Sequence, residues 1–128
     1  MITLELAQKV IAAAEKKAAD IKQPMNIAVV DGGGNLVAFA RMDGAQLGSI
    51  QISEHKARAA SKYRRETKAF EAGVQGGNNY LLTLDDVIAS RGGIPLVSGG
   101  QLIGAIGCSG GTGSQDEVVC KAGAATVK

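Results

Sequence analysis

Leu4, Ala7, Ile11, Ala14, Ala18 and Ile21 recur at helical spacing, while Glu5, Lys9, Glu15, Lys16 and Lys22 fall off that stripe. The pattern predicts an amphipathic helix with Thr3 as its N-cap, ended by Pro24. Two apolar runs follow, "NIAVVD" and the more openly alternating "NLVAFARM", and read as two strands. From Ser49 to about Ala72 the helical period returns, with Ser49 as N-cap and Gly73 as stop. "LLTLDDVIAS" reads as a short helix or a turn. In "IPLVSGGQLIGAIGC" a second pair of apolar runs surrounds the turn Gly99-Gly100. The last helix opens at "SQDE", where Ser114 and Glu117 have capping-box spacing, and runs through Val118, Val119, Ala122 and Ala125.

The predicted order is helix, hairpin, helix, short segment, hairpin, helix. Two hairpins with helices between them give an α+β architecture, an antiparallel sheet covered by helices. No βαβ alternation supports a parallel sheet. The Gly32-Gly33-Gly34 run sits between two strands, whereas a dinucleotide-binding loop needs GxGxxG between a strand and a helix. Aspartate, glycines and asparagine supply the positive φ angles of a tight hairpin, so the run reads as a turn.

Composition narrows the class. The 128 residues read as one domain, 1–128, long enough to bury a core without disulfides or metal. With two Phe, two Tyr and no Trp, that core must be built from Ala, Val, Ile and Leu, and its elements should pack closely. A net charge of +2 gives no argument for a nucleic-acid partner. Cys108 and Cys120 lack metal-type spacing and read as reduced thiols of a cytoplasmic protein. Charges run through the N-terminal segment, which is no signal peptide, and the apolar runs are too short for a membrane span. Long Ala-rich helix faces exceed what one small sheet can cover, which predicts a homo-oligomer, a dimer or larger.

Three linked segments, "AVVDGGGNLVAFARMDGA", "KARAA" and "GGIPLVSGGQLIGAIGCSGGTGSQDE", occur in an order that resembles the GlcG/HbpS family. That family also includes the C-terminal domain of PduO-type proteins. The resemblance covers essentially the whole chain and is greatest to the stand-alone GlcG type. It implies a profilin-like fold, an antiparallel sheet of about five strands with helices packed on it. It also implies a small-molecule ligand, with a tetrapyrrole (haem or corrinoid) as the best-supported class. The haem-ligating histidine of PduO-type domains lies near the N-terminal helix, where this chain has "AAAEKKAAD" and no histidine.

His55 is the only histidine, too few soft ligands for a protein-only zinc site. A haem needs one axial ligand and an apolar slot, so under the resemblance His55 is the candidate metal ligand. On its helix it shares a side with Ile52 and Ala59, beside Arg58 and Lys62; the alternative is a half-exposed surface histidine. Residues 56–68 carry six basic residues against one acid, a solvated face or, at Lys56 and Arg58, an anion-recognition surface. Arg41 follows the second strand, where it pairs with Asp43 or binds a ligand acid group. Gly110, Gly111 and Thr112 precede the last helix and are candidates to line a pocket, because glycine admits a ligand close to the backbone.

These residues serve a cytosolic small-ligand-binding protein. The alternative is an enzyme or accessory protein acting on a small organic acid in glycolate or diol catabolism, with Arg41, His55 and Lys56 around the substrate.

Overall fold

The Thr3 hydroxyl accepts the Leu6 N–H at 3.1 Å and opens helix α1 (Leu4–Asp20) in the computed structural model, which describes residues 1–128. Ala7, Val10, Ile11, Ala14 and Ala18 form its buried stripe, while Leu4 points outward. Strands β1 (Asn26–Asp31) and β2 (Leu36–Arg41) form the first hairpin. Its turn is held by Asp31, whose Oδ1 accepts the N–H groups of Gly33 and Asn35 at 2.9 and 3.0 Å. Gly34 supplies the positive φ, +83°. The glycine run is a turn.

Strands β3 (Gly93–Ser98) and β4 (Gln101–Ser109) form the second hairpin. Antiparallel pairing of β1 with β4 joins the two hairpins into one sheet of order β2-β1-β4-β3. The sheet has four strands, one fewer than expected. Residues 79–90 add no edge strand: they form a short 3-10 turn (Asn79–Thr83) and an irregular strap through Ser90. Asp86 in that strap sits at φ +62°, a conformation no strand accommodates.

Side-chain alternation separates two unlike faces. Ile27, Val29, Leu96, Ile106 and Cys108 point to the side covered by α1 and α4 (Gly113–Ala124). Ala28, Val30 and Ala105 point to the other side, against Ala57 and Ala60 of α2 (Ser49–Tyr63). On that second face the small residues let the helix settle onto the sheet. A Cβ on Gly107 would stand 2.6 Å from the Ala57 nitrogen, and one on Gly93 would stand 2.5 Å from the Lys56 carbonyl oxygen. The scarcity of aromatics is thus matched by backbone-to-backbone approach.

The long helix expected from Ser49 to Ala72 is two helices. It breaks at Arg64, a left-handed residue with φ 54°, and restarts as α3 (Lys68–Gln75). The break lets buried Thr67 join β3: its N–H donates to the Gly93 carbonyl at 3.0 Å and its hydroxyl accepts the Gly93 N–H at 2.9 Å. Gly73 lies inside α3 rather than ending it, because Leu81 of the 3-10 turn packs where a Cβ would be. Ser49 is the first helical residue and makes no side-chain cap. Thr112, not Ser114, caps α4, through a capping box with Gln115. No helix is long and apolar enough to cross a membrane.

Candidate functional site

The residues singled out from the sequence fall at three separate places. Close seating of α2 on Gly93 and Gly107 carries Lys56 inward, where only 1% of its side chain is exposed. Its ammonium donates to the Cys108 carbonyl at 3.0 Å and to Asp116 Oδ2 at 2.9 Å. The other oxygen of Asp116 accepts the Gly111 N–H at 2.9 Å. Burial pushes the Asp116 carboxyl up from the ordinary carboxylate range, opposed by Lys56 and by the glycine N–H groups. Lys56 is therefore a structural cation, removed from any ligand surface.

Gly110, Gly111 and Thr112 belong to the same internal arrangement. Side chains at the two glycines would meet the Pro24 carbonyl oxygen at 2.7 Å and Gln23 Cγ at 2.9 Å. The backbone here is approached closely by the protein itself, and Thr112 is occupied as a cap. None of the three lines a cavity. Nearby, the buried Cys120 thiol donates to the Gly92 carbonyl at 2.9 Å, and burial pushes its pKa up, which makes it a poor nucleophile.

Arg41 lies elsewhere, in a cleft of about 560 Å³ between the end of α1 and the end of β2. Ala18, Ala19, Pro24 and Met42 give the cleft its apolar lining, and Glu15, Lys22, Arg41 and Asp43 its charges. Two backbone features shape it: Lys22 turns the chain at φ 58°, and Gln23 ties the corner to Gly110 through a 3.0 Å hydrogen bond. Arg41 and Asp43 do not pair, and Lys22 makes no ion pair, so both cations of the cleft are free.

His55 and Arg58 occupy the outer face of α2 beside a second cavity of about 400 Å³, lined also by Gly48, Gln51, Ile52 and Glu54. One carboxylate organises this face. Asp86 Oδ2 lies 2.8 Å from the Lys62 ammonium, and Oδ1 lies 3.6 Å from Arg58 Nε and 3.8 Å from His55 Nε2. The hydrogen bond from Lys62 leads in holding the Asp86 carboxyl below its ordinary value. Burial, followed by the Arg58 charge, holds the His55 imidazole below its ordinary value, with Asp86 pulling the other way. His55 is thus a half-buried base in an ion-paired surface cluster.

Sequence reasoning brought Arg58 and His55 together correctly but missed Asp86, Asp116, Lys22 and Met42. A second missed pair is Glu71 with Arg91, where Glu71 Oε2 lies 2.8 Å from Nε and 2.6 Å from Nη2. "DD" at 85–86 in a weakly patterned segment, facing a basic helix, was the one available signal for Asp86.

A family model described as haem-degrading protein HbpS-like matches residues 2–125. Protein GlcG of Escherichia coli K12 is 41% identical over 109 residues, covering 85% of this chain and 81% of that protein. Among solved structures, a double mutant of HbpS from Streptomyces reticuli superposes with a TM-score of 0.91 at 30% identity, over 99% of this chain and 87% of the other. A PduOC:haem complex superposes at 0.90 with 26% identity, over 99% of this chain and 95% of the other.

Proposed function

Because this chain belongs to the HbpS-like family, we propose that it binds a haem-related small molecule, seated in the cleft between α1 and the end of β2. The observation that carries this reading is the apolar lining of Ala19, Pro24 and Met42 next to two unpaired cations, Lys22 and Arg41, in a cleft whose rim also carries Glu15 and Asp43. Its volume of about 560 Å³ falls within the range of small-molecule sites, roughly 300–1,000 Å³. This donor set suits a flat apolar ring that bears carboxylates: the floor meets the ring, and Arg41 and Lys22 meet the acid groups. Met42 is the one cleft side chain whose chemistry would let it hold the iron, while the only imidazole, His55, lies on the opposite side of the sheet. A haem supplies redox-active iron when bound; this chain's part is to seat the ring and neutralise its acid groups.

Titration of the purified protein with haemin tests the reading. A saturable Soret shift is expected, blocked by Ala19→Trp, which fills the cleft, and weakened by Arg41→Ala. No spectral change in the parent protein overturns it. A response lost in His55→Ala and kept in Ala19→Trp moves the ligand to α2.

The short 3-10 turn also favours self-association, in line with the homo-oligomer expected above: its Tyr80 and Leu82 are 63% and 59% exposed. Light scattering at micromolar concentration is expected to give a mass above the 13.0 kDa of one chain.

A further inference from the structure

On α2, His55, Arg58 and Lys62 are spaced one helical turn apart and converge on a single carboxylate that belongs to the chain itself. The element carrying that carboxylate is lightly held. No backbone–backbone hydrogen bond links residues 79–91 to another strand or helix; those it makes close on neighbouring residues, such as Val87 N–H to the Leu84 carbonyl at 3.3 Å. Apart from the anchoring of Arg91 to Glu71, its polar ties are the Asp86 cluster and one hydrogen bond from the Tyr63 hydroxyl to the Asp85 carbonyl at 2.6 Å. Asp86 itself sits at φ +62°, a conformation that aspartate tolerates better than most residues but that is still disfavoured. Beside the cluster is open space, the cavity of about 400 Å³ that His55 and Arg58 share with Gln51 and Ile52.

We propose that this face of α2 is a binding site for a small carboxylate-bearing ligand, held closed by Asp86 as an internal occupant. An incoming carboxylate takes the place of Asp86 between Arg58 and Lys62, its organic part enters the cavity beside Ile52, and the strap is released from α2. No bond is made or broken; one carboxylate replaces another on the same donors. Charge explains why the site suits an anion: Arg58, Lys62 and the His55 imidazole face Asp86, and although Glu54 lines the cavity and Asp85 adjoins the cluster, the two cations keep their charge whichever carboxylate they hold. The lightly held strap explains why exchange is feasible, since residues 84–90 can leave α2 without breaking a backbone hydrogen bond of the sheet or of a helix, while Leu81 stays against Gly73 of α3. This site is distinct from the cleft at Arg41, and it stands or falls independently of the haem reading.

Oxalate is the test ligand, followed through the His55 ring resonances and through amide exchange of residues 79–90. In the parent protein, oxalate is expected to shift the His55 resonances saturably and to speed exchange along the strap. Asp86→Asn removes the internal occupant while keeping a residue that accepts the left-handed conformation, and is expected to bind oxalate about tenfold more tightly. Asp85→Asn makes the same change in net charge one residue away and is expected to show no such gain. Adding Arg58→Gln to Asp86→Asn should abolish the gain. Equal gains in the two Asn variants would reduce the effect to long-range charge and overturn the proposal. So would an Asp86→Asn variant that binds oxalate no better than the parent, or a strap whose exchange does not respond. Haemin binding at the cleft is expected to be the same in Asp86→Asn as in the parent, so failure of either site is seen separately.

Discussion

Lys56 Nζ and Asp116 Oδ2 lie 2.9 Å apart, with 1% and 5% of their side chains exposed, and together they lock α2 to the start of α4 across the end of the sheet. Removing one partner leaves the other buried without compensation. Lys56→Met is expected to cost about 3–5 kcal/mol in urea unfolding, and Lys56→Met with Asp116→Leu to recover most of that loss. A single variant as stable as the parent would show that the pair is solvated.

Thr112 and Ser114 make a direct comparison. Thr112→Ala removes the cap acceptor for the Gln115 N–H and should cost about 1 kcal/mol, whereas Ser114→Ala should stay within about 0.5 kcal/mol of the parent. Thermal unfolding of the two variants separates them, and the reverse order would return the cap to Ser114.

Gly107 is fixed by its neighbours rather than by a turn. A methyl group there collides with the Ser53 carbonyl oxygen and the Ala57 nitrogen, both backbone atoms that cannot rotate away. Gly107→Ala should therefore lift α2 off the sheet and cost at least about 1–3 kcal/mol. Gly99, with φ +59° and open space around it, should lose only the roughly 1–2 kcal/mol of a left-handed alanine.

Arg64 ends α2 in the left-handed region that glycine occupies without penalty, at φ 54°. Arg64→Gly is expected to raise stability by up to about 1 kcal/mol, because the relief of left-handed strain exceeds the added chain entropy. A fall in midpoint would mean that the arginine side chain stabilises the break by contacts of its own.

His55 sets a pH dependence whose sign distinguishes its two influences. Burial and Arg58 hold its pKa below 6.5, so the unfolded chain takes up the proton first as pH falls. The contribution of His55 to stability is complete above about 6.5 and is lost as pH drops from there toward the folded value. His55→Gln should flatten stability across that interval in denaturant titrations. If the pairing with Asp86 dominated instead, acidification through the same interval would stabilise the parent relative to the variant.

Local signals in the sequence determined the first helix and its Thr3 cap, both hairpins, the turn at Gly32-Gly33-Gly34 and the α+β class. Each depends on a repeat or on turn chemistry contained within a few residues, and neighbouring residues suffice to express it. The basic run at 56–68 shows where that information stops. As a pattern, Lys56, Arg58 and Lys62 are three like members of one charged face. In the fold, Lys56 reaches through to Asp116, 60 residues away, while Lys62 holds Asp86, 24 residues away. What separates their fates is how closely α2 approaches the sheet, and Gly93 and Gly107 set that distance from two other strands. The break at Arg64 likewise follows from the bonds of Thr67 to Gly93, not from any breaker residue in the helix itself. Tertiary packing alone chose which cation is buried, which faces solvent and which carboxylate each one meets, because a charge is committed only when a distant backbone comes near enough to exclude water.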